Sequence, residues 1–592
     1  MMIRDYFEKE MRYLTEAGKV FAETHPELAR YLKIDSIAAD RDPYVERLFE
    51  GFAFLTGRIR EQLDDELHQY TEGLCTLLYP HFLKPIPALS IVEFKPLSGK
   101  VPSTKVLKKG TEVRSEEVGE EQAQCRFVTT QEVHLHPLSL QDVTLNWASD
   151  GTTRVTLLFQ LEGGAIYENL DLSPLRLHFT AAPMDTIASL MHLFFTRHVE
   201  KVCIGPVEGP GPAASTMHTL PGQRWITPGG LADDEGLLPY TLPSFTGFRL
   251  LQEYLAFRRK FWCIDLHGLE QFRPAEAIEE FQVDIFFDRT YPEDQRFKPE
   301  DLRLYCTPVV NIFQMDAEPL RVDHQTVEYR VLPSTRYRKS IHVYDIEHVL
   351  GIEDMTGKRH EYLPYFSFRH TKAPELRYFT ETSRIGPTDH YETYVVLDSG
   401  EDDPSVLAVE SLSLDLRCTN GSLPKERLQK GMINQLAPEV AKVATPVNLI
   451  QPSLILYPPT KRQRDFFWKM ISHWSFNYQT VASKEALTGL LALYDWTDTQ
   501  ANPRRIAGIH KVKWTPKEVM HRGGILRGVE VTLHIQEGHF ADEGDLCLFG
   551  LVMSRFLTMY ATLNSVVHLT IEMIPSGSKY QWQPKHGTQP IL

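Results

Sequence analysis

The sequence lacks most of the features by which chemistry shows itself. Cysteine is scarce: seven residues in 592, at Cys75, Cys125, Cys203, Cys263, Cys306, Cys418 and Cys547. They are far apart and odd in number, and no CxxC pair occurs, which argues against a zinc ribbon or a redox dithiol. Several lie in apolar strings such as FWCID and DLCLF, so reduced, buried thiols in a reducing cytosol are expected. Long apolar runs are missing as well. Nothing approaches the roughly eighteen residues that a bilayer span needs. The opening MMIRDYFEKEMRYL is charged and amphipathic, without the apolar stretch or cleavage site of a signal peptide. A soluble, unexported chain without membrane insertion is expected. Basic charge is in short supply: the formal net charge is -15. A nucleic-acid binder needs a basic excess to neutralise phosphates. Here Lys108-Lys109, Arg258-Arg259-Lys260 and Lys461-Arg462 are scattered and read as solvated loops or helix ends.

Catalytic signatures are missing too. There is no GxxxxGK[ST] loop, GxSxG elbow, HExxH or EF-hand loop. Gly209-Pro210-Gly211 places proline where a phosphate cradle needs N–H donors, so it reads as a linker. His134 and His136 share one face of an expected strand, but no third metal ligand stands at a convincing spacing. The same holds for His192 and His198, near a helix end. The carboxylates of Asp64-Asp65, adjacent on a helix, do not face each other, and Asp233-Asp234-Glu235 and Glu401-Asp402-Asp403 sit in polar Gly/Pro loops, where acids are easily solvated. No catalytic residue, cofactor or metal is expected, and no enzyme activity.

What is present is ordinary globular material: 42% hydrophobic and 24% charged residues, enough chain for three or four domains. Helical spacing dominates the first eighty-odd residues. Ile3, Phe7, Met11, Leu14, Ala17 and Phe21 form a stripe, with Tyr6, Tyr13 and Val20 beside it. The apolar arc is about half the circumference, wider than one contact needs. His25-Pro26 breaks this helix. Asp42-Pro43 announces the next, as N-cap and first-turn proline. Val45, Leu48, Phe49, Phe52, Leu55, Ile59, Leu63 and Leu67 then form its stripe; any one residue of such a stripe reads as intramolecular core. Phe54 points away from Phe52, Ile59 and Leu63, at about 100 degrees per residue. A short helix at 74–78 ends in the proline-rich exit YPHFLKPIP.

From Leu89 the pattern turns strand-like, as in SIVEF, RVTLLFQL and LRLHF, with a helix at 185–196. Residues 205–243 are rich in Gly and Pro and read as a linker or interaction loop. Strand patterns resume at 261–416, and the middle reads as sandwich-like. Helices are expected at 465–479, 485–496 and 546–563, the last between alternating strands at 529–535 and 567–573. The expectation is an α+β multidomain chain. It comprises a helical bundle segment at 1–88, a β-rich domain at 89–204, the linker at 205–243, a second β-rich domain at 244–418 and a mixed α/β interaction domain at 419–592.

Several strings, in order along nearly the whole chain, carry a family resemblance. They are YFEKEMRYLTEAGKVFAETHPELARYL, DPYVERLFEGFAFLTGRIREQLDDELHQYTEGLCTLLYPHFLKPIP, GLLPYTLPSFTGFRLLQEYLAFRRKFWCIDLHGL, RCTNGSLP, ISHWSFNY, LLALYDW and GVEVTLHIQEGHFADEGDLCLFGLVMSRFLTMYATLNS. The chain resembles the TssF family of type VI secretion baseplate proteins. One departure is visible: Arg258-Arg259 stand where the family tends to carry Pro-Glu. That puts the local loop geometry in doubt, since proline would fix it.

The resemblance implies a structural wedge subunit of a phage-tail-like contractile injection system. In such a wedge a second TssF copy, TssG, TssE and TssK join around a hub carrying the VgrG spike. The wedges assemble in the cytoplasm, at the cytoplasmic face of the inner membrane complex. They prime sheath and tube assembly and pass on the trigger for contraction. The candidate interface residues are Phe7, Leu14, Phe21 and Phe54 on the first helices. Phe549, Phe556 and Tyr560 join them from the late helix, whose arc the flanking strands should cover only in part. Alternative readings are a wedge subunit of a phage tail or extracellular injection system, or a β-rich carbohydrate-active enzyme.

Overall fold

The computed structural model describes residues 3–28, 43–148, 151–180, 185–207, 217–240, 245–274, 277–323, 325–365, 377–385, 391–398, 409–438, 440–459, 466–474, 483–521, 524–561 and 565–587. The chain divides into two compact units: Met1–Leu78 with Thr460–Ser472, and Tyr79–Pro459 with His473–Leu592.

The first unit is built on two helices, α1 (Ile3–Thr24) and α2 (Pro43–Leu78). Their meeting line follows residues spaced by four, among them the small Gly18, Ala22, Ala53 and Gly57, not the large apolar stripe. On α1, Tyr6, Glu10, Gly18 and Ala22 are buried. On α2, Ala53 and Gly57 are buried, with Phe49 half-buried on the same line. Residues four apart form one ridge, and small side chains along it let two helices approach closely. A Cβ on Gly57 would stand 3.2 Å from the backbone nitrogen of Phe7. Arg60 pairs with the buried carboxylate of Glu10 at 2.5 Å. Near the end of α2, the Cys75 thiol donates to the carbonyl of Phe467, at the start of a helix over Phe466–Trp474.

The second unit is β-rich, and its sheets are woven from distant segments. A six-stranded sheet takes Leu89–Pro96, Glu112–Val118 and Ala123–Thr129 from one region. It takes Cys306–Val310 from another, and Ile433–Leu436 and Ala444–Asn448 from a third. The consecutive segments 89–204, 244–418 and 419–592 therefore do not coincide with sheets. The described part of 205–243 is built into the fold rather than linking domains. His218–Pro221 pairs with Val199–Pro206, and Ile226–Pro228 pairs with Cys263–Leu266. A separate sheet between Phe313 and Thr419 wraps a core of Val322, Val349, Tyr362, Phe379, Val395, Leu412 and Leu414.

The expected strand–helix–strand order is present at the end of the chain. Gly524–Gln536 lies parallel to Ser565–Ile574, joined through α5 (Glu543–Tyr560, numbering after α3, Asp185–Arg197, and α4, Thr246–Ala256). Asp542 caps α5 by accepting from the Asp545 backbone nitrogen at 2.7 Å. α5 packs on α3, α4 and the strand Ser565–Ile574. A Cβ at Gly550 would run into the Trp582 ring, so the close seat of α5 needs glycine there.

Candidate assembly surface

Helix α2 presents its large apolar side chains outward. Leu48, Phe52, Leu55, Ile59 and Leu63 are all more than half exposed, Leu55 and Ile59 at 58% each. Spacings of four, three, four and four align them in one stripe along the helix. Of the 21 large hydrophobic residues that are exposed among the described residues, 13 lie between Tyr13 and Leu74. Single exposed apolar side chains are normal, but a contiguous stripe of this kind marks an interaction surface. Burying one such side chain fully contributes about 1.5–3 kcal/mol.

Residue by residue the Leu48–Leu63 stripe reads as intramolecular core, yet it is exposed, and the seam runs through Ala53 and Gly57 instead. The spacing of four that aligns Phe49, Ala53 and Gly57 is the sequence signal of this seam. Phe54 is exposed at 47%, but Phe52 is exposed as well, so the two flank the seam instead of dividing core from solvent. On α1, Phe7 and Leu14 are half-buried, while Phe21, Tyr13 and Val20 are exposed.

The three candidates on α5 are occupied by the chain's own core. Phe549 lies against Phe540 and Tyr254, with ring centroids 5.5 and 6.2 Å away. Phe556 lies against Phe245 and Phe248 at 6.1 and 6.2 Å. Tyr560 meets Phe245 at 5.6 Å. All three are buried. Periodicity showed the arc but not that α3 and α4, more than 280 residues earlier, complete its cover.

The polar candidates are dispersed. His134 is exposed, whereas His136 is buried and engages Thr104 at 3.0 Å, so the pair does not converge. Burial pushes the imidazole of His136 down to about 4, and that of His192 likewise. His198 meets Asp288 at 2.9 Å. Glu235 of the acidic triplet pairs with Arg176 at 2.5 Å. The side chains of Asp64 and Asp65, and residues 401–403, lie outside the described residues. All seven cysteines are free and buried, and desolvation raises the thiols of Cys75, Cys125, Cys263, Cys306, Cys418 and Cys547, that of Cys75 to about 12. Such thiols stay protonated and unreactive. Among the described residues no group of three or more metal-ligating side chains converges, and no helix is long and apolar enough to cross a membrane.

Two family-specific strings have a structural reason. Asn420, in RCTNGSLP, is fully buried and bridges the Arg126 backbone nitrogen, the Ser340 carbonyl and Asn311. Arg258 and Arg259 anchor helices: Arg258 pairs with Asp545 of α5 at 2.6 Å and Arg259 with Asp185 of α3 at 2.8 Å.

The family model for TssF of the type VI secretion system matches residues 2–589. The chain belongs to the TssF family. The type VI secretion component TssF1 of Pseudomonas aeruginosa is 27% identical, covering 99% of each chain. A chain in the cryo-electron microscopy structure of a type VI TssK-TssF-TssG baseplate subcomplex superposes with TM-score 0.76 at 32% identity. It covers 92% of this chain and 99% of that one. A chain of the type VI baseplate complex superposes with TM-score 0.63 at 30% identity, over the full length of both.

Proposed function

We propose that this chain is a structural wedge subunit of a type VI secretion baseplate, assembling with TssG and TssK through the exposed face of its helical unit. The observation that carries this is the stripe Leu48, Phe52, Leu55, Ile59 and Leu63, large side chains in water on the unit with the smaller core. Relatives at about one-third identity occur in complexes with TssK and TssG, which supplies partners of the right kind. The half-buried Phe7 and Leu14 and the exposed Phe21 on α1, and the exposed Phe54 on the other flank of α2, are further candidate contacts. A second copy of the chain, TssE and the VgrG spike hub complete the reading. So does a position in the cytoplasm, against the inner membrane complex. The protein works by holding subunits in place and not as an enzyme. The buried imidazole of His192 is kept neutral and the thiol of Cys75 protonated, which suits packing better than proton or electron transfer.

Co-expression with TssG and TssK, followed by native mass spectrometry, tests this. The chain should self-associate when expressed alone, because contiguous apolar surface seeks cover. It should become monodisperse in a complex with TssG. A soluble, monodisperse monomer at high concentration that ignores TssG would defeat the proposal.

A further inference from the structure

A cleft in the β-rich unit gathers polar groups that their own chain leaves unmet. It lies where the strand Leu89–Pro96, the strand Leu175–Phe179, the head of α3 and the turn after α4 meet. Ile91, His178, Thr180, Asp185, Arg259 and Trp262 line it. The cleft measures about 260 Å³ with its open mouth, and its enclosed base has room for one water-sized atom. Trp262 is 4% exposed, and its indole N–H has no hydrogen-bond partner among the described residues. A buried donor without an acceptor is costly, and few native ones are left so.

Arg259 stands beside that indole, its guanidinium 6.0 Å from the ring centroid. Its Nη2 donates to Asp185 Oδ1 at 2.8 Å. A guanidinium carries five N–H groups and a carboxylate two oxygens. Among the described residues neither side chain makes another hydrogen bond, and that of Asp185 is 42% exposed. His178 adds no charge, because burial first, then Arg176 and Arg259, pushes its imidazole down to about 3. The ion pair is neutral as a whole. The cleft thus offers two kinds of donor and one acceptor, beside the apolar side chains of Ile91, Phe179 and Ile450.

We propose that this cleft binds a primary carboxamide, either the side chain of Asn or Gln in a partner protein or a small free amide. The carboxamide oxygen accepts from the Trp262 indole and from Arg259, and its NH2 donates to the second oxygen of Asp185. Only the oxygen has to enter the narrow base; the stem rests on the apolar side chains. Other groups fit less well. A carboxylate brings no donor for Asp185 and sets a second negative charge beside it. An ammonium brings no acceptor for the indole. A trans peptide bond turns its N–H away from its oxygen, whereas a primary amide presents both side by side. The site belongs to the β-rich unit and does not depend on which subunit covers the α2 stripe. The competing account is a single ordered water, which can also bridge such groups.

The probes are propionamide and propionate, read by saturation-transfer NMR against the full chain alone and in its co-purified complex with TssG. Propionamide should bind the chain at least about tenfold more tightly than propionate. Trp262→Phe, which keeps an aromatic ring and removes the N–H, should weaken propionamide by about tenfold. Asp185→Ala should reverse the preference, because Arg259 is then left without a carboxylate. That variant changes a partly exposed side chain, so it remains informative if Trp262→Phe loses thermal stability. Binding to the chain alone that the complex blocks would assign the carboxamide to a partner side chain, and binding to both would assign a free amide. Equal or tighter binding of propionate to the parent chain, or a preference that Asp185→Ala leaves unchanged, would overturn the proposal. Absence of saturable binding would leave a single water in the cleft and equally overturn it.

Discussion

The helical unit and the β-rich unit solve opposite packing problems. In the first, small residues such as Ala53 and Gly57 are buried, while Phe52, Leu55 and Ile59 stand in water. In the second, Phe127, Phe159, Phe179, Phe194 and Phe556 are fully buried, and exposed large hydrophobics are sparse. The difference cannot be one of composition alone, since both regions carry strongly apolar stripes. It lies in whether a second layer from the same chain is there to cover them. α5 has α3, α4 and a sheet around it. The stripe on α2 has water. On the proposed reading a unit of the first kind takes its cover from a partner, while one of the second kind finds it within its own chain.

The strongest way to break this comparison is to put charge on the exposed stripe of α2. Leu55→Asp/Ile59→Asp should leave the isolated fold almost untouched, within about 1 kcal/mol, because both side chains are already exposed. It should abolish the complex with TssG, since each carboxylate taken into an apolar contact costs several kcal/mol. Co-purification beside a melting curve measures both. A large fall in melting temperature would mean that the stripe is core after all.

Acid should act on the β-rich unit. His81, His136, His178 and His192 all lie there, and burial pushes them down to about 3, 4, 3 and 4. In the unfolded chain each titrates near its ordinary 6.5. Their neutral, buried state is therefore fully favourable above about pH 6.5. Stability is lost as the pH falls from there towards 3–4, by about 1.4 kcal/mol per pH unit for each imidazole. Urea midpoints between pH 7 and pH 5 should show the loss, and His192→Asn should make the slope shallower by about one proton. A variant with the parent slope would mean that His192 takes up its proton in the folded state.

Phe556→Ala tests the same unit by volume. It empties a fully buried site among Phe245 and Phe248, and should cost about 3–5 kcal/mol. Were Phe556 an interface residue, stability would hold and assembly would fail, so thermal unfolding separates the two.

How far the sequence spoke follows the same division. Period-two alternation marked Val531, Leu533 and Ile535 and the strand Ser565–Ile574, and their parallel pairing through α5 has the expected order. Capping signals were local too, and α2 begins at Pro43 as Asp42-Pro43 announces. What was not legible is what covers what. The six-stranded sheet joins Leu89–Pro96 to Cys306–Val310 and Ala444–Asn448, and no local pattern encodes a pairing over such separations. For the same reason a stripe states that burial is wanted without naming the partner. On α5 that partner is this chain; on α2 it is not found among the described residues.

The finest test falls on Phe54, which sits one residue past the buried Ala53 as Phe52 sits one before it. The two side chains flank the seam on opposite sides, and only Phe52 belongs to the Leu48–Leu63 stripe. Gly51 and Arg58, both exposed, lie close to Phe54 in angle, so its surroundings are more polar. Phe54→Asp removes no core volume at 47% exposure and should lower the melting temperature little. A partner that wraps both flanks would lose one of several anchors, and TssG pull-down should weaken by about tenfold, less than for the double variant on the stripe. Phe52→Asp beside it calibrates the stripe side. Unchanged pull-down with Phe54→Asp and a clear loss with Phe52→Asp would confine the interface to a single flank of α2. A sharp drop in melting temperature would instead place Phe54 in the core of the helical unit.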